Sequence, residues 1–178
     1  MAYQKLQVSE GLSVITSSTV RIPDPSTVVV LDIATNKTVG VGSFNTANQL
    51  TAVTPSDPKF TSAGIAVGSI IYNTTANVAY TVTGITSDTV LTVTPATVGG
   101  ANDSFTIYTK PTLGCILYVG GTGDLTVQMA SKNGNTSAAA QAANHQITYK
   151  NIGNAAFLPT QVVRVDASTT ATDIIALW

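Results

Sequence analysis

His145 is the only imidazole in this 178-residue chain, Cys115 the only thiol and Glu10 the only glutamate. Nucleophilic catalysis by serine or cysteine needs a base that a third group holds in place. The residues beside His145, Asn144 and Gln146, mark no such partnership, and no Gly-x-Ser-x-Gly elbow occurs. One His and one Cys cannot make a zinc tetrad. The eight aspartates are scattered, with no loop holding three of them as a calcium site would. Neither a metal nor an organic cofactor is expected. A carboxylate pair for cleaving glycosidic bonds would have to be Asp–Asp, drawn from Asp24, Asp124 and Asp166. Aspartate at a turn more often caps its own backbone, so hydrolase or lyase chemistry is the minor reading. Cys115 sits in the apolar run Cys115–Val119 and reads as a buried, unreactive thiol.

Two glycine stretches invite a nucleotide reading. Gly40-Val41-Gly42 begins like a dinucleotide fingerprint, but Asn45 stands where the third glycine belongs. No helical pattern follows, so no helix N-terminus is at hand for a pyrophosphate. Gly120-Gly121-Thr122-Gly123-Asp124 lacks the Lys-Ser/Thr of a phosphate loop and lies between two alternating segments. A glycine-rich hairpin turn with positive φ values is expected there. Four Asn-x-Ser/Thr sequons, at Asn36, Asn73, Asn102 and Asn135, are close to what this composition produces by chance.

The elements that would position these residues are strands. Charged residues make up 10% of the chain, against about 25% in an ordinary soluble domain. Eight basic and nine acidic residues leave a net charge of −1, which excludes a basic face able to hold nucleic acid. The polar surface comes instead from uncharged residues, above all 29 threonines, beside 20 valines. Both types are β-branched and favour a pleated surface over a helix. Hydrophobic residues reach 44%, enough for a real core. Charge depletion is also what the centres of protein–protein contacts show, so composition fits a surface covered by other chains and equally a small all-β protein with a neutral exterior. No apolar run approaches the ~20 residues of a membrane span, and the N-terminus has no signal-peptide pattern. Assembly in a cytoplasm is expected.

Alternation at period 2 recurs from Val78 to Ile85, Asp88 to Thr94, Ser104 to Tyr108, Leu125 to Met129 and Ile147 to Ile152. Val162–Val165 and Ile174–Trp178 read as late strands. Turn clusters such as Pro23-Asp24-Pro25, Gly99-Gly100 and Asn133-Gly134-Asn135 separate the runs. Only Ser137–Ala143 has helical propensity, and it has no stripe wide enough to dock. The pattern predicts an all-β protein, a β-sandwich or barrel domain with a small inserted β-module. Val28–Leu31 and Cys115–Val119 are apolar without interruption and read as strands buried on both faces. They bracket a segment with its own apolar set: Phe44, Phe60, Ile70, Ile71, Tyr72, Tyr80, Phe105 and Tyr108. Residues 1–32 plus 111–178 are therefore expected to form one discontinuous domain, with 33–110 inserted as the module. Aromatics reach only 6%, with no cluster of rings in sequence for sugar or base stacking. The last residue, Trp178, is expected to pack into a core or a neighbouring subunit.

Several strings in the outer segments carry a resemblance. Leu117-Tyr118-Val119-Gly120-Gly121-Thr122-Gly123-Asp124-Leu125 is followed by Ile147–Ile152 and by Phe157-Leu158-Pro159-Thr160-Gln161-Val162-Val163-Arg164-Val165. The chain closes on Thr169-Thr170-Ala171-Thr172-Asp173-Ile174-Ile175-Ala176-Leu177-Trp178. With the opening Leu12–Ser18, these strings resemble the spike base proteins of gene transfer agents and tailed phages, over about half the chain. The middle segment, around Phe60–Thr75, departs from that compact form and looks like a β-module of phage structural proteins. The resemblance singles out Gly120, Gly121, Gly123, Asp124, Pro159, Arg164 and Trp178 as motif residues, none of them catalytic. It implies a virion component without enzyme activity, decorating a capsid or forming a spike base. Its implied partners are copies of itself, the major capsid protein or other virion proteins, and a fibre protein, with no nucleic acid or membrane. A receptor- or glycan-binding module of a fibre or tail is the alternative.

Overall fold

A computed structural model describes residues 8–32, 34–53, 60–130 and 146–178. The Ser137–Ala143 segment, the Asn133-Gly134-Asn135 turn and His145 lie outside the described residues. The fold is all-β, as expected: a closed six-stranded barrel and a separate six-stranded sheet. The chain divides into two compact units, 1–14 with 113–178, and 15–112.

The second unit is the barrel. Its strands are β2 (Val39–Asn45), β3 (Gln49–Ala52), β4 (Ile70–Asn73), β5 (Val78–Ser87), β6 (Val90–Thr94) and β7 (Asp103–Tyr108), closed in the order β2-β3-β6-β5-β4-β7. All its pairings are antiparallel. Closure leaves no free edge in the barrel wall. Alternation sends Phe44, Leu50, Ile71, Tyr80, Val82, Leu91, Val93, Phe105 and Ile107 inward, joined by Phe60 and Ile65 from the β3–β4 connection. Phe44 stacks on Tyr80 with centroids 5.2 Å apart and meets Phe105 edge-on at 6.3 Å. The Tyr80 hydroxyl, carried by a buried ring, donates to the Val98 carbonyl at 2.5 Å and accepts the Val98 N–H at 2.8 Å. Burial pushes the Tyr80 phenol up, and the charge of Asp103 adds to this, while the Val98 bond opposes it.

The boundary between the units is not the expected one. The segment Ile15–Asp32 belongs to the barrel unit rather than to the discontinuous one. Val28 bridges Tyr108, Pro23 bridges Pro111, the Val29 N–H donates to Ile107, and Val29 and Leu31 join the barrel core. Nor is the Val28–Leu31 run buried on both faces, because Val28 and Val30 point away from the core that Val29 and Leu31 enter. Cys115–Val119 alternates in the same way. The strand buried throughout is β4 in the barrel.

The first unit is a sheet in the order β1-β12-β8-β11-β9-β10. These strands are β1 (Gly11–Ser13), β8 (Cys115–Val119), β9 (Gly123–Met129), β10 (Gln146–Ile152), β11 (Ala156–Val165) and β12 (Ile174–Leu177). β11 pairs first with β8, through Ala156↔Val119 and Leu158↔Leu117, and then with β9, through Arg164↔Gln128 and Val165↔Val127. Register slips fall between Leu158 and Val162 and between Val162 and Arg164, where β11 passes from one neighbour to the other. Pro159 sits within this irregular stretch, exposed, where a missing N–H costs no ladder bond.

Candidate functional site

The motif residues Gly120, Gly121, Gly123, Asp124, Pro159, Arg164 and Trp178 all fall in the first unit, whereas Asp24 lies in the barrel unit. Gly120–Thr122 does not form a hairpin turn, since β8 and β9 are not neighbours in the sheet. Of the three glycines, only Gly123 has a positive φ, +149°. The stretch lies instead against the segment leading into β12. Gly120 N–H donates to Asp173 and Gly121 N–H to Thr172, each at 3.0 Å. At Gly123 a Cβ would stand 2.5 Å from the Ala171 nitrogen, so a side chain is excluded by both φ and space.

Asp124 clamps two residues of β10. Its Oδ2 receives Lys150 Nζ at 2.6 Å and its Oδ1 the Asn151 N–H at 3.1 Å. The Lys150 bond, followed by the Asn151 bond, holds its carboxyl below the ordinary aspartate range. Asp166 is buried. It receives the Ser168 N–H and hydroxyl on Oδ1 and Gln146 Nε2 on Oδ2. Burial alone would raise its pKa, but the Ser168 and Gln146 bonds and the charge of Arg164 together outweigh burial and lower it. Asp24 accepts from the N–H and hydroxyl of Ser26 and caps a one-turn 3-10 helix, Pro25–Thr27. The three aspartates considered for hydrolysis are thus turn and strand fasteners.

Arg164 is 4% exposed, inside the sheet beside Asp166. Trp178 is half-buried rather than in a core, and its main chain closes the β1–β12 pair. Its N–H donates to Glu10 at 3.1 Å, and its carbonyl accepts the Ser9 N–H at 2.7 Å. Cys115 is buried, with Sγ 3.4 Å from the Val162 carbonyl, and burial pushes the thiol up to about 12. That is an unreactive thiol at neutral pH.

On the barrel, a shallow groove of about 480 Å³ runs beside Val28–Val30, Ala63 and Lys110. Two of the hydroxyls that line it are engaged within the chain: Ser26 Oγ donates to Asp24 Oδ1, and Thr27 Oγ1 to the Asp24 carbonyl. Among the described residues no three His, Cys, Asp or Glu side chains are grouped to hold a metal ion. No helix among them is long and apolar enough to cross a membrane.

The feature that sequence reasoning missed is the outer face of the first unit's sheet. Tyr118 on β8 lies directly across from both Phe157 on β11 and Ile175 on β12. Ile116 pairs with Leu177 on the same face. The Tyr118 and Phe157 rings meet edge-to-face at 5.2 Å. Phe157 is 62% exposed and Ile175 36%. The five side chains form an apolar patch without an ionised group, in a unit whose other face is filled by Leu117, Val119, Leu125, Val127 and Ala176. The alternation of β8 already held the signal, because it places Tyr118 opposite to Leu117 and Val119. Its partner Phe157 lies 39 residues away and could be joined to it only through strand order.

Comparison with protein-family models, curated proteins and solved structures gives no match.

Proposed function

We propose that this chain is a non-enzymatic structural component of a virion, assembling as a symmetric homo-oligomer and docking on capsid or other virion proteins. The observation that carries the reading is the uncharged outer face built on Tyr118, Phe157 and Ile175. Burying one such aromatic yields about 1.5–3 kcal/mol. Repetition by symmetry turns contacts of that size into firm attachment. The carboxylates of Asp24, Asp124 and Asp166, each spent on the chain's own backbone, support a mechanical role. The strings in the outer segments that resemble those of spike base proteins support the virion setting.

The test is the mass of the purified chain in solution and its co-sedimentation with empty capsid shells. A symmetric oligomer that pellets with shells is expected. Phe157→Ser should weaken oligomer or shell binding by at least about tenfold with little change in melting, since the ring is mostly exposed. A strict monomer at about 100 μM that stays in the supernatant overturns the proposal. Glycan binding has one observation in its favour, the same exposed ring pair, on which a sugar face could stack. Saturable binding of a host oligosaccharide lost in Phe157→Ser, without oligomerisation, would select it.

A further inference from the structure

We propose that β10 is a strap that detaches from the sheet as a unit on acidification, because a carboxylate fastens it at each end. At one end Asp124 receives Lys150 Nζ at 2.6 Å and the Asn151 N–H at 3.1 Å. At the other, Asp166 receives Gln146 Nε2 at 2.6 Å. Among the described residues, little else holds the strand. Among the described strands it is the last in the sheet and pairs with β9 alone, and its register slips after Tyr149. Five of its seven residues are exposed, and Tyr149 and Ile152 are only half-buried. Between the ends, among the described residues, one further side-chain bond joins the Thr148 and Thr126 hydroxyls at 2.9 Å. A strand with so little buried apolar area opens locally before its sheet does.

The anchors stay behind when β10 leaves. The Asp124 carbonyl is held by the Thr170 and Ala171 N–H groups, and the Asp166 N–H by the Thr126 carbonyl. Among the described residues, Lys150 is the charged group facing Asp124, and Arg164 the one facing Asp166. Both donors to Asp124 lie on β10, so its depressed pKa is lost when the strap opens. Asp166 keeps Ser168 and Arg164 and loses only Gln146, so Asp124 is the stronger proton sensor. The direction follows from linkage. A carboxyl that binds protons more weakly when clasped stabilises the clasp above the ordinary aspartate range, and this stability is lost as pH falls through the clasped value.

The test is amide hydrogen exchange of the full chain, read strand by strand as protection factors between pH 6 and 2.5. β10 protection should fall below about pH 4, by up to about tenfold per pH unit for Asp124, while β8 and β12 hold theirs. Asp124→Asn should show low β10 protection already at pH 6 and a flattened pH dependence, and Asp166→Asn a smaller change of the same sign. Lys150→Met, at a site whose side chain is 69% exposed, gives the same reading if an aspartate variant fails to fold. β10 protection that is flat with pH, or that falls in step with β8 and β12, overturns the proposal.

Discussion

Gly40 on β2 and Phe105 on β7 are direct cross-strand partners in the barrel wall, and the aromatic ring covers the glycine's bare backbone. A Cβ at Gly40 would stand 2.5 Å from Phe105 Cζ and 2.9 Å from Cε2, with Leu31 Cδ1 at 3.0 Å. The glycine pattern that begins like a nucleotide fingerprint is therefore a packing device, in which a missing side chain makes room for an aromatic one.

Gly40→Ala should destabilise the barrel by about 1–3 kcal/mol, because the ring it displaces is wholly buried and its neighbours have no room to give. Gly84→Ala is the contrast. Its Cβ would meet Thr92 at 3.5 Å, ordinary contact, so the change should be near neutral or slightly stabilising. Urea midpoints of the two variants check this, and equal losses would remove the packing account.

Cys115 predicts behaviour in alkali. Its thiol ionises near 9.0 when unfolded and only at about 12 when folded. The folded state therefore binds more protons than the unfolded one across that window, and stability falls as pH rises through it. The slope contributed is at most about 1.4 kcal/mol per pH unit. Tyr80 and Tyr108, raised chiefly by burial, add loss of the same sign from about pH 10. Guanidinium unfolding of wild type and Cys115→Ala from pH 8 to 11 should show a shallower decline in the variant. The native thiol should also resist a disulfide reagent at pH 8.

Period-2 alternation made β5, β6, β7, β9 and β10 legible, whereas β2, β3 and β4 were not read as strands; of the barrel core, the apolar set of the middle segment held Phe44, Phe60, Ile71, Tyr80 and Phe105 but not Leu50 or Ile65. Alternation assigns residues to faces but not strands to neighbours. β8 and β9 are joined by the short link Gly120–Thr122, which reads as a hairpin, yet β11 separates them, pairing with each in turn through its register slips. The same gap hid the Tyr118–Phe157 contact. The domain boundary was misplaced for a related reason. Val28–Leu31 is apolar enough to suit either unit, and only its bridge to Tyr108 and its bond to Ile107 assign it to the barrel. The aspartates were legible as turn residues by type, but that Asp124 and Asp166 both reach β10 depends on partners 26 and 20 residues away.

Trp178 separates a side chain's contribution from that of its backbone. The indole is half-buried, so Trp178→Ala should cost less than the ~3–5 kcal/mol of a fully buried tryptophan, about 1–2 kcal/mol. Deleting the residue also removes the acceptor for the Ser9 N–H and the donor to the Glu10 carbonyl, which extend the three-residue β1 onto β12. Each lost bond adds about 1 kcal/mol. The deletion should therefore melt below the alanine variant, with the additional exchange confined to residues 9–13. Identical melting of the two variants would show that the main-chain closure of β1 contributes nothing and that the indole alone acts.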